Sequence, residues 1–360
     1  MADSKCLFCE VRFSKPALLV PFQHTLEKLT GTSKDKTKGK AEIKDEEDEA
    51  KNEFFKIINS FLNAKEGSVL IHSDGDRNID LFDQKVDGRL VTLIPDNALY
   101  QDVYERSFLD DNHLYYRVKP RSGQRPLSIL DFNTKFAVSK GLVDPTQGQM
   151  RDFMKHVIEE EEKSPSFFEA YRGTAVLEKD QPAMLNSVES GSKPFRENIC
   201  TQAKAYDQTD LKEFCWKKSK PYISAFSKIP GGGSVYIGIA EDKTGNIATG
   251  KLIVKGVNAN EFDEQEMQEE LLRRVGMEMM HIGRREPDNV IETEALPVLS
   301  DKSSVVIQIK VNYYHGIYFT SLDGPKLFTA KWKHSGLEVA NIDVNIWLKH
   351  LNSWWELHVH

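Results

Sequence analysis

Acids near one strand end are the side chains with which this sequence could do chemistry. Glu241 and Asp242 follow the apolar run Val235-Tyr236-Ile237-Gly238-Ile239, and Glu197 lies in the polar stretch upstream of it. Carboxylates gathered from a strand end and a neighbouring element could hold a divalent cation or divide acid and base roles. The same residues also read as ordinary surface acids. Asp207, Asp210 and Glu213 form a second acidic group, with Asp210 and Glu213 on one helix face at i, i+3. Charge at a helix N-terminus is their simplest role. Cys6-Leu7-Phe8-Cys9 is a lone CxxC without the second pair that a zinc site needs, so it reads as apolar packing.

The elements around these residues are legible from periodicity. Thr209 or Asp210 caps a helix whose apolar positions run through Leu211, Phe214, Cys215, Tyr222, Ile223 and Phe226. Pro230 and Gly231-Gly232-Gly233 stop it, and the buried strand 235–239 follows. A second helix is expected over 53–62, with Phe54, Phe55, Ile57, Ile58, Phe61 and Leu62 at helical spacing, then a strand from Ser68. The segments SFLNAKEGSVLI and AFSKIPGGGSVYI both pass from a helix ending in Phe, through glycine, to Gly-Ser-Val-x-Ile. That similarity is a weak internal repeat and implies two lobes built on one unit.

Further helices are expected over 99–108, 145–162, 262–280 and 343–355, and strands over 113–119, 304–311, 314–320 and 327–333. Residues 31–52 read as a disordered charged insertion. The mixture predicts an α+β class, with an N-terminal lobe over 1–162, a connector over 163–196 and a C-terminal lobe over 197–360.

The chain of 360 residues is 39% hydrophobic and 29% charged, which suits a packed core with a well-solvated surface. Its net charge of −7 excludes a uniformly basic nucleic-acid binder. The runs Asp45–Glu49 and Glu159–Glu162 hold nine of the acids, so a local basic groove is compatible with the total. Four cysteines, no signal-peptide pattern and no apolar run long enough to span a bilayer lead to the expectation of a reducing intracellular, cytoplasmic setting.

The stretch 197–242 resembles the core of the Schlafen family and its AlbA-type relatives. Members carry E-S-x-x-V-E-x-K, a helix, then YVSAFANxxGGYLxIGVxD. Glu197 to Lys204 lies in register with the first motif. Tyr222 to Phe226, Gly232-Gly233 and Ile237 to Asp242 follow the second, with one extra residue in the turn. The 53–71 segment is similar to the family's ALLNSGGGVI, Asp111 to Leu114 to its DNHL strand, and Asn312 to Phe319 to its ERFCCAVF strand. The resemblance spans roughly the whole chain. It implies a U-shaped pair of related lobes around a groove for structured RNA, and three carboxylates in one lobe that bind Mg²⁺ or Mn²⁺ and cut the RNA backbone.

The implied site is incomplete here. Glu197 keeps the first acid, Gln202 replaces the second, and Glu241 (or Asp242, one register on) supplies the third. A carboxamide offers a metal one oxygen but no charge. The expected catalytic set is therefore a degenerate triad of Glu197, Gln202 and Glu241, with Glu197 and Glu241 as remaining metal ligands. The family's structural zinc site falls on His281-Ile282-Gly283 and His315-Gly316, where two ligands are glycine, so no zinc is expected there.

For RNA, the resemblance points to Lys204, Lys212, Lys217, Lys218 and Lys220, and to Arg121 and Arg125 in a turn of the other lobe. The helical lysines also read as the wet face of an amphipathic helix.

Some short Schlafen-like proteins, notably in nematodes, act as assemblies of several such chains that trim the 5′ ends of small-RNA (piRNA) precursors. The expectation is such a subunit, partnered by other Schlafen-like chains and RNA, without a membrane segment or small-molecule substrate. Trp354-Trp355 is a candidate interface. A self-sufficient endoribonuclease and a non-catalytic binding scaffold are the alternatives.

Overall fold

A computed structural model describes residues 19–32, 38–64, 66–73, 82–94, 100–110, 112–120, 127–138, 141–159, 175–187, 191–194, 201–244, 247–283, 290–314, 316–333 and 336–350. The fold is mixed α+β. The chain divides into two compact units, one of residues 1–131, 146–151 and 325–360, the other of 132–145 and 152–324. These boundaries differ from a division at 162 and 197. The last part of the chain joins the first unit, and the expected connector holds the strands Ala175–Val176, Met184–Ser187 and Gly191–Pro194.

In the first unit, β1 (Leu19–Pro21) lies parallel to β2 (Gly67–His72). The strands β3 (Tyr104–Asp110) and β4 (His113–Val118) form a hairpin, and the sheet order is β1-β2-β4-β3. Helix α1 (Lys40–Ala64) packs Phe54, Phe55, Ile58 and Phe61 into one core with Val69, Ile71, Leu114 and Tyr116. Phe54 meets Tyr116 edge-on, with ring centres 5.9 Å apart. Each such buried aromatic contributes about 1.5–3 kcal/mol of transfer free energy.

Two expectations fail here. Most of the supposed disordered insertion is the first half of α1. Ile43, Glu46, Glu47 and Ala50 continue its inward stripe, and Glu47 meets Lys51 at 2.5 Å and Lys85 at 2.9 Å. Burial pushes the Glu47 carboxyl up, but the two ammonium groups outweigh it and hold it below its ordinary value. The composition reads as disorder because it is polar; ion pairing and one buried stripe are enough to order it. The expected helix over 99–108 is one turn, Tyr100–Val103, followed by β3. The ladder to β4, from Tyr104 opposite Val118 to Asp110 opposite His113, overrides the local spacing.

The second unit repeats the plan. The strands β5 (Thr201–Lys204) and β6 (Gly233–Ile237) are parallel and joined by α2 (Leu211–Phe226). After β6 come the hairpin β7 (Ile239–Thr244) and β8 (Ile247–Val254), the short β9 (Val257–Asn258), and helix α3 (Glu264–Glu278). The antiparallel pair β10 (Ile291–Pro297) and β11 (Ser304–Val311) completes the sheet. The order β5-β6-β11-β10 reproduces β1-β2-β4-β3, with β9 beside β6 on β11. The repeat seen in sequence thus has a counterpart in topology.

The helix ends deepen the correspondence. Aligning Ser60-Phe61 with Ala225-Phe226 places Asn59 at Ser224 and Asn63 at Lys228. In the first unit the fully buried Asn59 donates from Nδ2 to the Ser128 carbonyl and Oγ at 3.0 Å, and its Oδ1 accepts from Phe328 N at 2.9 Å. Asn63 donates to the Phe328 carbonyl at 2.8 Å and accepts from Ser128 N at 2.7 Å. In the second, Ser224 Oγ donates to the Tyr318 carbonyl at 2.6 Å and accepts from Lys135 N at 3.1 Å. Lys228 Nζ donates to the Lys135 carbonyl at 3.2 Å and to the Ser224 carbonyl. Burial pulls the Lys228 amino group well below the ordinary lysine value.

Asn59→Ala strands the buried Phe328 amide, while the Ser128 carbonyl keeps its bond from Asn63, so a loss of about 1–3 kcal/mol is expected in urea unfolding. Lys228 holds fewer protons folded than unfolded, so stability should rise with pH towards the ordinary lysine value of 10.5. Lys228→Met should lose that rise; a wild-type profile that Lys228→Met leaves unchanged would refute the assignment.

Candidate functional site

The stretch that carries the sequence-predicted site lies wholly in the second unit. Asp210 is the N-cap of α2 and accepts from Glu213 N at 3.0 Å. Glu213 pairs with Arg274 at 2.6 Å. Asp210 and Glu213 therefore do helix work, and Asp207 stands exposed before the cap. On the inner side of α2, Cys215 is buried, and burial pushes its thiol up to about 12, which leaves it inert as a nucleophile.

Gln202 sits on β5 with only 7% of its surface exposed. It is paired with Val235, whose side chain packs with Phe226 and Ile237 under α2. Cross-strand partners share a face, so the carboxamide points to the helix side, where Tyr222 Oη donates to Gln202 Oε1 at 3.1 Å. Lys204, two residues on, falls on the same face, and its ammonium lies 5.2 Å from the centre of the Tyr222 ring. This Gln–Tyr–Lys group is the polar centre that the structure builds around the second motif position.

The expected continuous strand 235–239 breaks at Gly238, whose φ of 99° is a left-handed conformation that glycine adopts without strain. Tyr236 and Ile239 consequently share a second core, with Ala203, Leu252 and Val254. Glu241 pairs with Leu252 and so follows that second face rather than the face of Gln202. Glu241 is exposed and Asp242 half-buried. Both line a cavity of about 470 Å³ with Asp180, Ala240, Ile253 and Lys255. Lys255 holds Asp180 at 2.6 Å on one wall, which leaves the mouth with three carboxylates and one ammonium. Among the described residues, no three His, Cys, Asp or Glu side chains are gathered as a metal-binding group. Glu197 lies outside the described residues, as do Cys6, Cys9, Arg121, Arg125, His315 and Trp354-Trp355.

The lysines of α2 face acids of α3. Lys212 pairs with Glu266 at 2.5 Å, and Lys220 with Glu278 at 3.2 Å, where Trp216 Nε1 also donates at 2.8 Å. Lys218 covers the Phe214 ring at 5.5 Å, and Lys217 is exposed. Two of the four helical lysines therefore spend their charge on α3. At the two glycines weighed above as replaced zinc ligands, Gly283 lies opposite Gly316 on adjoining strands. A Cβ on Gly283 would fall 2.3 Å from the Tyr314 hydroxyl, so tyrosine fills the space that a cysteine side chain would need. His281 meets Tyr314 edge-on and lies tilted against Tyr318.

Sequence reasoning overlooked Tyr222 as the partner of Gln202, and Asp180 and Lys255 as walls of the acidic cavity. Tyr222 was visible only as an apolar helix position. Asp180 lies in the turn Lys179-Asp180-Gln181-Pro182, and only the pairing of this segment with β8 brings it to Glu241.

No family model matches the chain, and no curated protein does. Among solved structures, the DIP2311 protein from Corynebacterium diphtheriae aligns at 17% identity over 46% of this chain, with a TM-score of 0.24. The match spans 26% of that protein's length. No helix among the described residues is long and apolar enough to cross a membrane.

Tyr222→Phe removes the hydroxyl from a buried carboxamide oxygen. A loss of about 1 kcal/mol is expected in chemical unfolding, with no change when Gln202→Leu is already present. Additive losses in the double variant would show that the two groups are not coupled.

Proposed function

We propose that this chain is a Schlafen-like subunit of an RNA-processing endoribonuclease assembly, acting on small-RNA precursors, with a degenerate metal site of its own. The observation that carries the reading is the buried carboxamide of Gln202, held through its oxygen by the Tyr222 hydroxyl. Phosphodiester hydrolysis needs a cation to offset developing charge and to lower the pKa of the attacking water. Mg²⁺ or Mn²⁺ prefers anionic oxygen ligands. An uncharged oxygen already engaged by a hydroxyl donor is a poor substitute.

Glu197 and Glu241 remain as the acids that could touch a metal, and an intact carboxylate set would come from a partner Schlafen-like subunit. Lys204, Lys217 and Lys218 would meet RNA phosphate, and Arg121 and Arg125 are the candidates from the first unit. Lys212 and Lys220 are committed to α3 and would contribute less.

A second reading, a self-sufficient endoribonuclease, draws on the acidic cavity beside Glu241 and Asp242. The test is Mn²⁺-dependent cleavage of a 5′-extended RNA precursor by the isolated chain and by the complex purified with its Schlafen-like partners. The expected result is cleavage by the complex alone, and tighter Mn²⁺ binding by the isolated chain after Gln202→Glu. Cleavage by the isolated chain that Glu197→Ala abolishes would overturn the proposal in favour of the second reading. RNA binding without cleavage in any assembly would leave a scaffold.

A further inference from the structure

The two units are built on one ladder and filled differently. Val20 pairs with Val69 across β1 and β2, and Gln202 pairs with Val235 across β5 and β6. Gly67 and Gly233 open β2 and β6, and each faces a valine, Val118 or Val311, on the next strand. Gln202 therefore stands where the first unit has Val20. Lys204 stands where it has Phe22, whose amide continues the ladder to the Leu70 carbonyl at 2.8 Å. In the helices, the alignment of Phe61 with Phe226 sets Tyr222 at Ile57.

All three first-unit residues are apolar. Phe22 and Ile57 are buried in the core, and Val20 packs against it. The architecture thus has an apolar solution at these positions. The second unit instead seals a carboxamide against a tyrosine hydroxyl and brings an ammonium to the same ring. Taking polar groups out of water costs free energy that one hydrogen bond does little more than offset. Packing does not ask for this group, and a ligand accounts for it.

Tyr222 makes both contacts within it. Its hydroxyl holds Gln202 Oε1 at 3.1 Å, and its ring centre lies 5.2 Å from Lys204 Nζ. The hydroxyl contact restrains the ring, and the ring face attracts the ammonium. Lysine carries its charge on a flexible four-carbon stem, and immobilising such a side chain on binding costs affinity. A ring face restrains the stem beforehand without neutralising the charge. We propose that Tyr222 is a positioning residue that holds Lys204 for an RNA phosphate. This role rests on Lys204 as a phosphate contact, as proposed above, and adds what sets its place. It also gives the Gln202 carboxamide a use that needs no metal, since through the hydroxyl it keeps the ring turned towards Lys204.

The experiment measures binding of an RNA hairpin to the full chain by fluorescence anisotropy over a range of salt. Lys204→Met should weaken binding and lower the salt slope by about 1. Tyr222→Ile, which copies the residue of the first unit, should weaken binding about two- to fivefold. It should cost nothing further when Lys204→Met is already present. Tyr222→Phe keeps the ring and should retain most of the affinity that Tyr222→Ile loses. Wild-type affinity in a folded Tyr222→Ile, with Lys204→Met still weakened, would overturn the positioning role and leave the RNA reading standing. A wild type that binds no RNA, or unchanged affinity in Lys204→Met, would overturn both. If Tyr222→Ile fails to fold, the Lys204 Hε resonances decide the matter. A ring-current shift is expected in the wild type, and random-coil positions would overturn the proposal.

Discussion

A backbone amide or carbonyl taken out of water must find a partner, and in both units of this chain one helix supplies it from the same place. Asn59 and Asn63 in α1, and Ser224 in α2 with Lys228 just past its end, reach out from the end of the helix. Each pair takes hold of two segments that no strand ladder satisfies at that point. The parallel pair of strands seats the helix, and the antiparallel hairpin brings the following segment back over it. Four different side chains meet one geometric demand. The demand, a donor and an acceptor facing backbone, persists while the residues that meet it change.

Much of the fold could be read in the sequence because its strongest signals are local. The Phe-rich face of α1, the capped α2, and the runs that become β6 and β11 have one periodicity each and no competitor. The misreadings occur where a distant partner decides. The acidic half of α1 looks unstructured until Lys85 closes on Glu47, and residues 104–108 look helical until β4 pairs with them. Of the candidate site, the positions along the chain were legible and the faces were not. A left-handed Gly238 turns the strand so that Glu241 no longer follows the face of Gln202, and nothing in the alternation of residue types announces that.

Charge tells a similar story. A carboxylate at position 202 would have been an anion sealed under a helix, a costly thing unless a cation shared it. Glutamine keeps the shape and the hydrogen bond without the charge, so the strand and helix pack together with no ion present. The acids that remain nearby, Glu241 and Asp242, lie in the middle of β7 and line the acidic cavity. On α2, Lys212 and Lys220 are paired with glutamates of α3, whereas Lys217 is exposed and Lys218 lies over the Phe214 ring. The cations left for a polyanion beside the motif are therefore Lys204, Lys217 and Lys218 rather than the whole helix face.

The bond from Asn59 to Phe328 spans 269 residues of chain. During synthesis α1 emerges well before its partner, so the Asn59–Phe328 bond waits until residues of the whole second unit have been made. The usual order, in which the leading domain finishes before the trailing one begins, is reversed here. The second unit can close on segments already made, while the first waits for the tail. A nascent chain therefore carries α1 without its Phe328 partner until the second unit has been made.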